Sequence, residues 1–421
     1  MTTWTVDRII YVTSVDPSLP NGPGVNEREF VLALHKRFGD RMRAVVPTPA
    51  RPLDDFAGVN VRYLETRRVL TRPLQFLRAE REMERVVLEE TSAAPYDLLI
   101  TRQRTLPIGF QRASRRLSIP FAMRHMTGRA PESAPQESLK DLLAVRVAAP
   151  MDRAIWRDLG ARAFAIDTCT NEHLERIAGG LGVDRAKIHH KDNTVNTDRF
   201  RPGRAAEAKA KLGLERFGRI VGYAGGFASQ RGGEHMFRIA PAVLKRFPDT
   251  GFVIVGGGSG MEGLKERIRE AGLADAFVTP GVVPYDAVPD YMATFDVGVA
   301  LDNAAREKVV GNAYQKIRQY LSTGVPVVTG SNSTFVEAGL GSFVDSSELG
   351  QFEAAVMHWL GLDEAARAAL REQAHRYAVE HLSSAASLER QLRFWEERMA
   401  GTSTTADVRP EPAAAVAPVA A

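Results

Sequence analysis

The sequence predicts an α/β protein built from two doubly wound domains. Two series of short apolar runs alternate with helix-period segments, and a polar, charged stretch near 200–213 parts them. The 421 residues are enough for two sizeable cores, and 44% hydrophobic with 25% charged residues is globular composition.

In the first series the runs are Arg8-Ile-Ile-Tyr-Val-Thr, Met42-Arg-Ala-Val-Val-Pro, Tyr96-Asp-Leu-Leu-Ile-Thr and Ile119-Pro-Phe-Ala-Met-Arg. Each is continuously apolar rather than alternating, as a parallel strand covered on both faces must be. Helical patterns fall between them at Glu27–Phe38 and Phe76–Glu90. The second series starts at Arg219-Ile-Val-Gly-Tyr-Ala and continues through Phe252-Val-Ile-Val-Gly, Ala276-Phe-Val-Thr, Val297-Gly-Val-Ala-Leu and Val325-Pro-Val-Val-Thr. Helices are predicted at His235–Phe247, Met261–Ala271, Ala287–Thr294 and Ala313–Ser322, and Gln351–Met399 reads as almost wholly helical. The expected domains are 1–200 and 201–385, with a closing helix over 386–401. Residues 402–421 are rich in Ala and Pro and lack aromatics, so a disordered tail is expected.

No apolar run nears the roughly 18 residues of a membrane span, and Met1 to Arg8 show no basic-then-apolar pattern, so a secreted or integral membrane protein is not expected. The single Cys169 excludes an internal disulfide framework and fits a cytoplasmic setting. There is no Asp-x-Asp, and His189 and His190 point apart in any regular element, so no metal is expected. The net charge of +4 is unevenly placed: residues 1–200 hold 31 Lys and Arg against 25 Asp and Glu. Eleven arginines lie between Arg67 and Arg116. They read either as a solvated surface or as a field for anionic lipid, a phosphorylated acceptor or nucleic acid.

Two glycine-rich stretches follow strands of the second series. Gly258-Ser-Gly-Met-Glu-Gly263 is a literal G-x-G-x-x-G, but the next strand ends without the carboxylate that a dinucleotide ribose needs. Tightening of the strand-to-helix turn is the better reading. Gly225-Gly226-Phe-Ala-Ser-Gln-Arg231-Gly-Gly adds a cation to a helix start and reads as a diphosphate cradle, or as a flexible turn with a solvated arginine. In Tyr314-Gln-Lys316-Ile-Arg-Gln319, Lys316 opens a helix where it can neutralise phosphate or lie along the surface, and Gln319 sits one turn on where its amide can reach a ribose hydroxyl.

Taken in order with Gly281-Val-Val-Pro, Phe295-Asp-Val-Gly-Val and Gly324-Val-Pro-Val-Val, these stretches resemble the nucleotide-sugar-binding domain of family 4 glycosyltransferases (glycosyl transferases group 1). Asn193-Thr-Val-Asn-Thr-Asp-Arg-Phe200-Arg-Pro resembles the family's interdomain segment, and Asn21-Gly-Pro-Gly24-Val-Asn26 its glycine loop after the first strand. The resemblance implies the GT-B fold, two Rossmann-like domains facing across a cleft. It also implies sugar transfer from a nucleoside-diphosphate donor to a hydroxyl acceptor, retaining and without a metal or other cofactor.

On the donor side it implies Gly225, Gly226, Arg231, Val282, Asn312, Lys316 and Gln319; on the acceptor side Gly22, Gly24, Asn26 and Arg124; and His125 as the active-site histidine, although a packed strand-end histidine fits that position too. The acceptor is expected to be soluble, a polysaccharide or lipid-linked, the last placing the enzyme at the inner membrane face; nucleic acid is not an expected partner. The family's Glu-x7-Glu carboxylates are replaced by Gly311 and Gln319, and Gly226 stands where an arginine is usual. These departures keep open two rivals, an inactive nucleotide-sugar-binding partner subunit and an epimerase of the same fold.

Overall fold

A computed structural model gives the fold, and residues 5–19, 21–124, 139–169, 171–191, 193–227, 232–302, 314–330 and 333–401 are described. Seven parallel strands form the first sheet: β1 (Ile9–Thr13), β2 (Met42–Pro47), β3 (Val61–Leu64), β4 (Leu98–Arg102), β5 (Phe121–Arg124), β6 (Ala165–Thr168) and β7 (Ile188–His190). Their order is β3-β2-β1-β4-β5-β6-β7. The second sheet has six: β8 (Arg219–Ala224), β9 (Thr250–Val255), β10 (Phe277–Gly281), β11 (Val297–Ala300), β12 (Val327–Thr329) and β13 (Gly341–Phe343), in the order β10-β9-β8-β11-β12-β13. All pairings within the two sheets are parallel.

The continuous apolar runs have the expected cause. Along β1, Ile9 and Tyr11 face one core while Ile10 and Val12 face the other, and all four are fully buried. In each sheet the chain order reverses beside the first strand, between β1 and β4 and between β8 and β11. A doubly wound sheet opens its ligand crevice at the carboxyl ends of the strands at such a reversal.

Helices α1 (Gly22–Phe38) and α2 (Pro73–Ala93) cover opposite faces of the first sheet. The closing helix Ser384–Met399 returns to that sheet rather than to the second. Leu388, Leu392 and Trp395 enter the core of Ile9, Tyr11 and Leu34, and the Gln391 amide hydrogen-bonds Asp167. The chain therefore crosses between domains twice, and the crossings lie side by side: the Val195 amide donates to the Leu382 carbonyl at 2.9 Å. Ser383 caps the returning helix by accepting from Ala386 N–H. No described helix is long and apolar enough to cross a membrane.

Candidate functional site

At the carboxyl end of the second sheet the turns after β8, β9 and β10 are tied into one surface. Gly225 N–H donates to Val255 O at 2.9 Å, Phe227 N–H to Gly257 O at 2.8 Å, and Gly256 N–H to Gly281 O at 2.8 Å. Two glycines of the turn after β9 are required by close approach. A Cβ on Gly256 would stand 2.0 Å from Gly225 O, and one on Gly258 1.6 Å from Phe227 O, with positive φ at both positions. A Cβ on Gly263 would meet open space. The G-x-G-x-x-G stretch thus serves to pack one turn against another, as the sequence suggested, and lacks the close helix–strand contact that the third glycine of a dinucleotide fingerprint makes.

Lys316, in the helix Gln315–Ser322, reaches back to this surface. Its Nζ stands 3.7 Å from the Tyr223 ring centroid and 3.3 Å from where a Gly225 Cβ would be. Tyr223 in turn donates its hydroxyl to Gly226 O at 2.8 Å. Two motifs about ninety residues apart in sequence therefore meet, and they place an ammonium beside a glycine turn at a strand end. Lys316 is half-buried rather than exposed, because the Tyr223 ring covers it. Gln319, one turn on, is 6% exposed within a helix whose residues 317–322 are all buried. That helix also joins the domains, since the Gln315 amide donates to the Thr194 carbonyl. Val282, beyond β10, is 66% exposed and lines the same surface against Gly257. Arg231, Asn312 and His125, as well as the tail 402–421, lie outside the described residues.

The first domain corrects part of the acceptor-side expectation. Gly22 and Gly24 do not form a loop. They open α1, where Asn21 accepts from Gly24 N–H at 2.9 Å and Pro23 occupies the first turn. Asn26 and Arg124, expected on the acceptor side, are buried, 6% and 2% exposed, and bonded to each other, Arg124 Nη2 donating to Asn26 Oδ1 at 2.9 Å. Asn26 Nδ2 donates to Asn193 Oδ1 at 3.0 Å, tying the helix to the interdomain segment.

The cause is Glu27, which sequence reasoning passed over. This fully buried carboxylate accepts from Arg102 at 2.6 Å, from Arg124 at 3.1 Å and from the Tyr11 hydroxyl. Burial works against its charge, but the two guanidiniums outweigh burial and hold its carboxyl below the usual range. Tyr11 is pushed far up by burial and by Glu27. Beside them Lys191, 4% exposed and 4.7 Å over the Phe30 ring, is pushed down to about 7 by burial and then by Arg124. Arg102 and Arg124 each end a buried strand, β4 and β5. A lone arginine closing an apolar run was the available signal that a buried carboxylate waits nearby.

The domains also meet directly. Tyr285, from the turn after β10, donates to Glu29 of α1 at 3.2 Å, and Arg28 and Arg199 flank its ring at 5.5 and 5.1 Å. Arg28 pairs with Asp55 at 2.7 Å, and Arg199 bridges Asp55 and Asp286. The glycine surface of the second domain is therefore held against α1.

Residues 218–361 match the family model described as glycosyl transferases group 1. Among curated proteins, a 2-deoxystreptamine glucosyltransferase of Streptomyces kanamyceticus is 26% identical over 51% of this chain and 54% of its own length. A GDP-mannose-dependent alpha-(1-6)-phosphatidylinositol monomannoside mannosyltransferase of Mycolicibacterium smegmatis is 27% identical over 49% and 56%. The chain spans about half the length of the curated relatives it matches. Among solved structures, Anabaena HepE in complex with UDP and glucose superposes with a TM-score of 0.68 at 14% identity, covering 92% of this chain and 99% of HepE. The lipopolysaccharide-biosynthesis glycosyltransferase WaaG gives 0.62 at 13%, covering 91% and 98%. By its two sheets and by these superpositions the chain has the GT-B fold, and residues 218–361 of its second domain are similar to the group 1 glycosyl transferases.

Proposed function

We propose that the chain transfers a sugar from a nucleoside-diphosphate donor to a hydroxyl acceptor. The observation that carries this reading is the convergence of Lys316 on the Gly225 turn, at the strand ends where a doubly wound sheet binds its ligand. An ammonium held beside a glycine turn at a strand end suits a diphosphate, whose charge grows as the glycosidic bond breaks. In this reading Lys316 and Arg231 hold the diphosphate, the Val282 backbone meets the base, and Asn312 and Gln319 attend the ribose and its surroundings. The same reading, by resemblance alone, assigns His125 to the donor-sugar side.

The chemistry is a balanced substitution: the bond from the anomeric carbon to the diphosphate oxygen breaks and one to the acceptor oxygen forms. The acceptor's proton passes to the departing diphosphate, so no protein nucleophile or metal is required, and retention follows when acceptor and leaving group share one face of the sugar. The absence of any Asp-x-Asp supports a metal-independent reaction. Release of nucleoside diphosphate from a panel of UDP-, GDP- and ADP-sugars, with and without simple alcohol acceptors, tests the proposal. Acceptor-dependent release from one donor is expected. Donor binding with no release from any of them would leave a binding subunit, and an altered sugar nucleotide without acceptor would indicate an epimerase.

A further inference from the structure

The arginine cluster that stood out in the sequence divides in the structure into two sets. Most of its members are matched to carboxylates: Arg68 to Glu80, Arg85 to Glu89, Arg102 to Glu27, Arg112 and Arg116 to Glu84, and Arg115 to Asp158. Apart from Arg104, which follows β4 and is likewise exposed without a carboxylate partner among the described residues, the unmatched members are Arg67, Arg72, Arg78 and Arg81, all exposed. All four belong to the start of α2 or the segment leading into it.

The same segment carries the most exposed leucine among the described residues. Leu74 is 76% exposed and Leu77 46%, whereas Phe76, Ala79, Met83, Val86 and Val87 of α2 are buried. Positions 74, 77, 78 and 81 follow the spacing of one helix face, so two leucines and two arginines share the face turned away from the core. Beside it, an open groove of about 750 Å³ is lined by Arg67, Arg72 and Arg78, with Glu65 as its only carboxylate. The platform is fixed, because Glu82 accepts from the Glu65 and Thr66 amides at 2.6 and 2.7 Å.

We infer that this face docks on an anionic lipid surface, Leu74 and Leu77 entering the headgroup boundary and Arg67, Arg72, Arg78 and Arg81 meeting lipid phosphates. Exposed leucines among unneutralised arginines match the two forces that hold an interfacial helix, apolar insertion and attraction to negative headgroups. A purely solvated face would gain nothing from the leucines, and a nucleic-acid groove would have no use for them. The parallel sheet sets the orientation. The segment leading into α2 leaves the carboxyl end of β3, the same edge from which α1 follows β1, so docking turns the cleft edge of the first domain toward the membrane.

Flotation of the full chain with phosphatidylglycerol-containing vesicles and with phosphatidylcholine vesicles tests the inference without any sugar donor. It is therefore independent of whether the chain transfers sugar. Binding to the anionic vesicles alone is expected. Arg72→Gln/Arg78→Gln/Arg81→Gln should reduce it about a hundredfold, as three contacts near a charged surface imply, and Leu74→Ser/Leu77→Ser at least tenfold. Arg112→Gln/Arg115→Gln/Arg116→Gln, which removes equal charge from arginines already beside carboxylates, should change it less than threefold. No binding at low salt, equal loss in the two arginine triples, or tighter binding to duplex DNA than to vesicles with the leucine variant unaffected would overturn it.

Discussion

Replacing Lys316 by Met removes the ammonium and keeps the stem that packs on the Tyr223 ring. In the wild type the Nζ is 3.7 Å from that ring and 3.3 Å from where a Gly225 Cβ would be, so a diphosphate on the turn would lie beside it. A hydrogen bond to a charged group contributes about 1.5–3 kcal/mol. At 1.4 kcal/mol per decade, nucleoside diphosphate should bind roughly ten- to a hundredfold more weakly. The half-buried cation–π contact is lost as well, costing about 1 kcal/mol of stability and a few degrees of melting temperature. Calorimetric titration of UDP and GDP into both proteins, with a thermal melt of each, separates the two effects. A dissociation constant unchanged while the melt shifts would refute the assignment of Lys316 to the ligand and leave it a packing residue.

Two further changes probe the frame around the site. Glu27→Gln leaves Arg102 and Arg124 buried without their carboxylate and should cost about 3–5 kcal/mol by thermal or urea unfolding. The carboxyl is held below its ordinary value near 4.5 in the native protein, so its contribution is complete above that pH and is lost as the pH falls through the lowered value. The stability gap between wild type and variant should hold from neutrality to about pH 5 and narrow in more acid solution; a gap that widens there would contradict the assignment. Gly258→Ala drives a methyl into the Phe227 carbonyl and should cost about 2–4 kcal/mol and weaken nucleotide binding, whereas Gly263→Ala, facing open space, should do neither.

The strands were legible because burial on both faces leaves an unbroken apolar run. The edges read Met42–Pro47 and Arg219–Ala224 correctly, and Phe252 lies two residues inside β9. The strands that escaped, β3, β6, β7 and β13, have three or four residues each, and β3 at the sheet edge mixes Arg62 and Tyr63 into its run. The stretch Asn21–Asn26 was misread as a loop because two glycines outweighed the Asn cap and the first-turn Pro23 that start α1. The burial of Arg124 and Asn26 escaped for a different reason. Their partners Glu27 and Asn193 are brought near by the sheet order, which no local pattern encodes. Likewise the amphipathic pattern of Ser384–Met399 announces a packed helix without saying which sheet it packs on.

A crystal structure with a bound nucleoside diphosphate tests the central claim most directly. The account predicts the diphosphate within hydrogen-bond distance of Lys316 Nζ and against the Gly225 turn, with the base along the Val282 backbone. A nucleotide seated elsewhere, such as the arginine groove at the start of α2, with the Gly225 turn left to solvent, would contradict it.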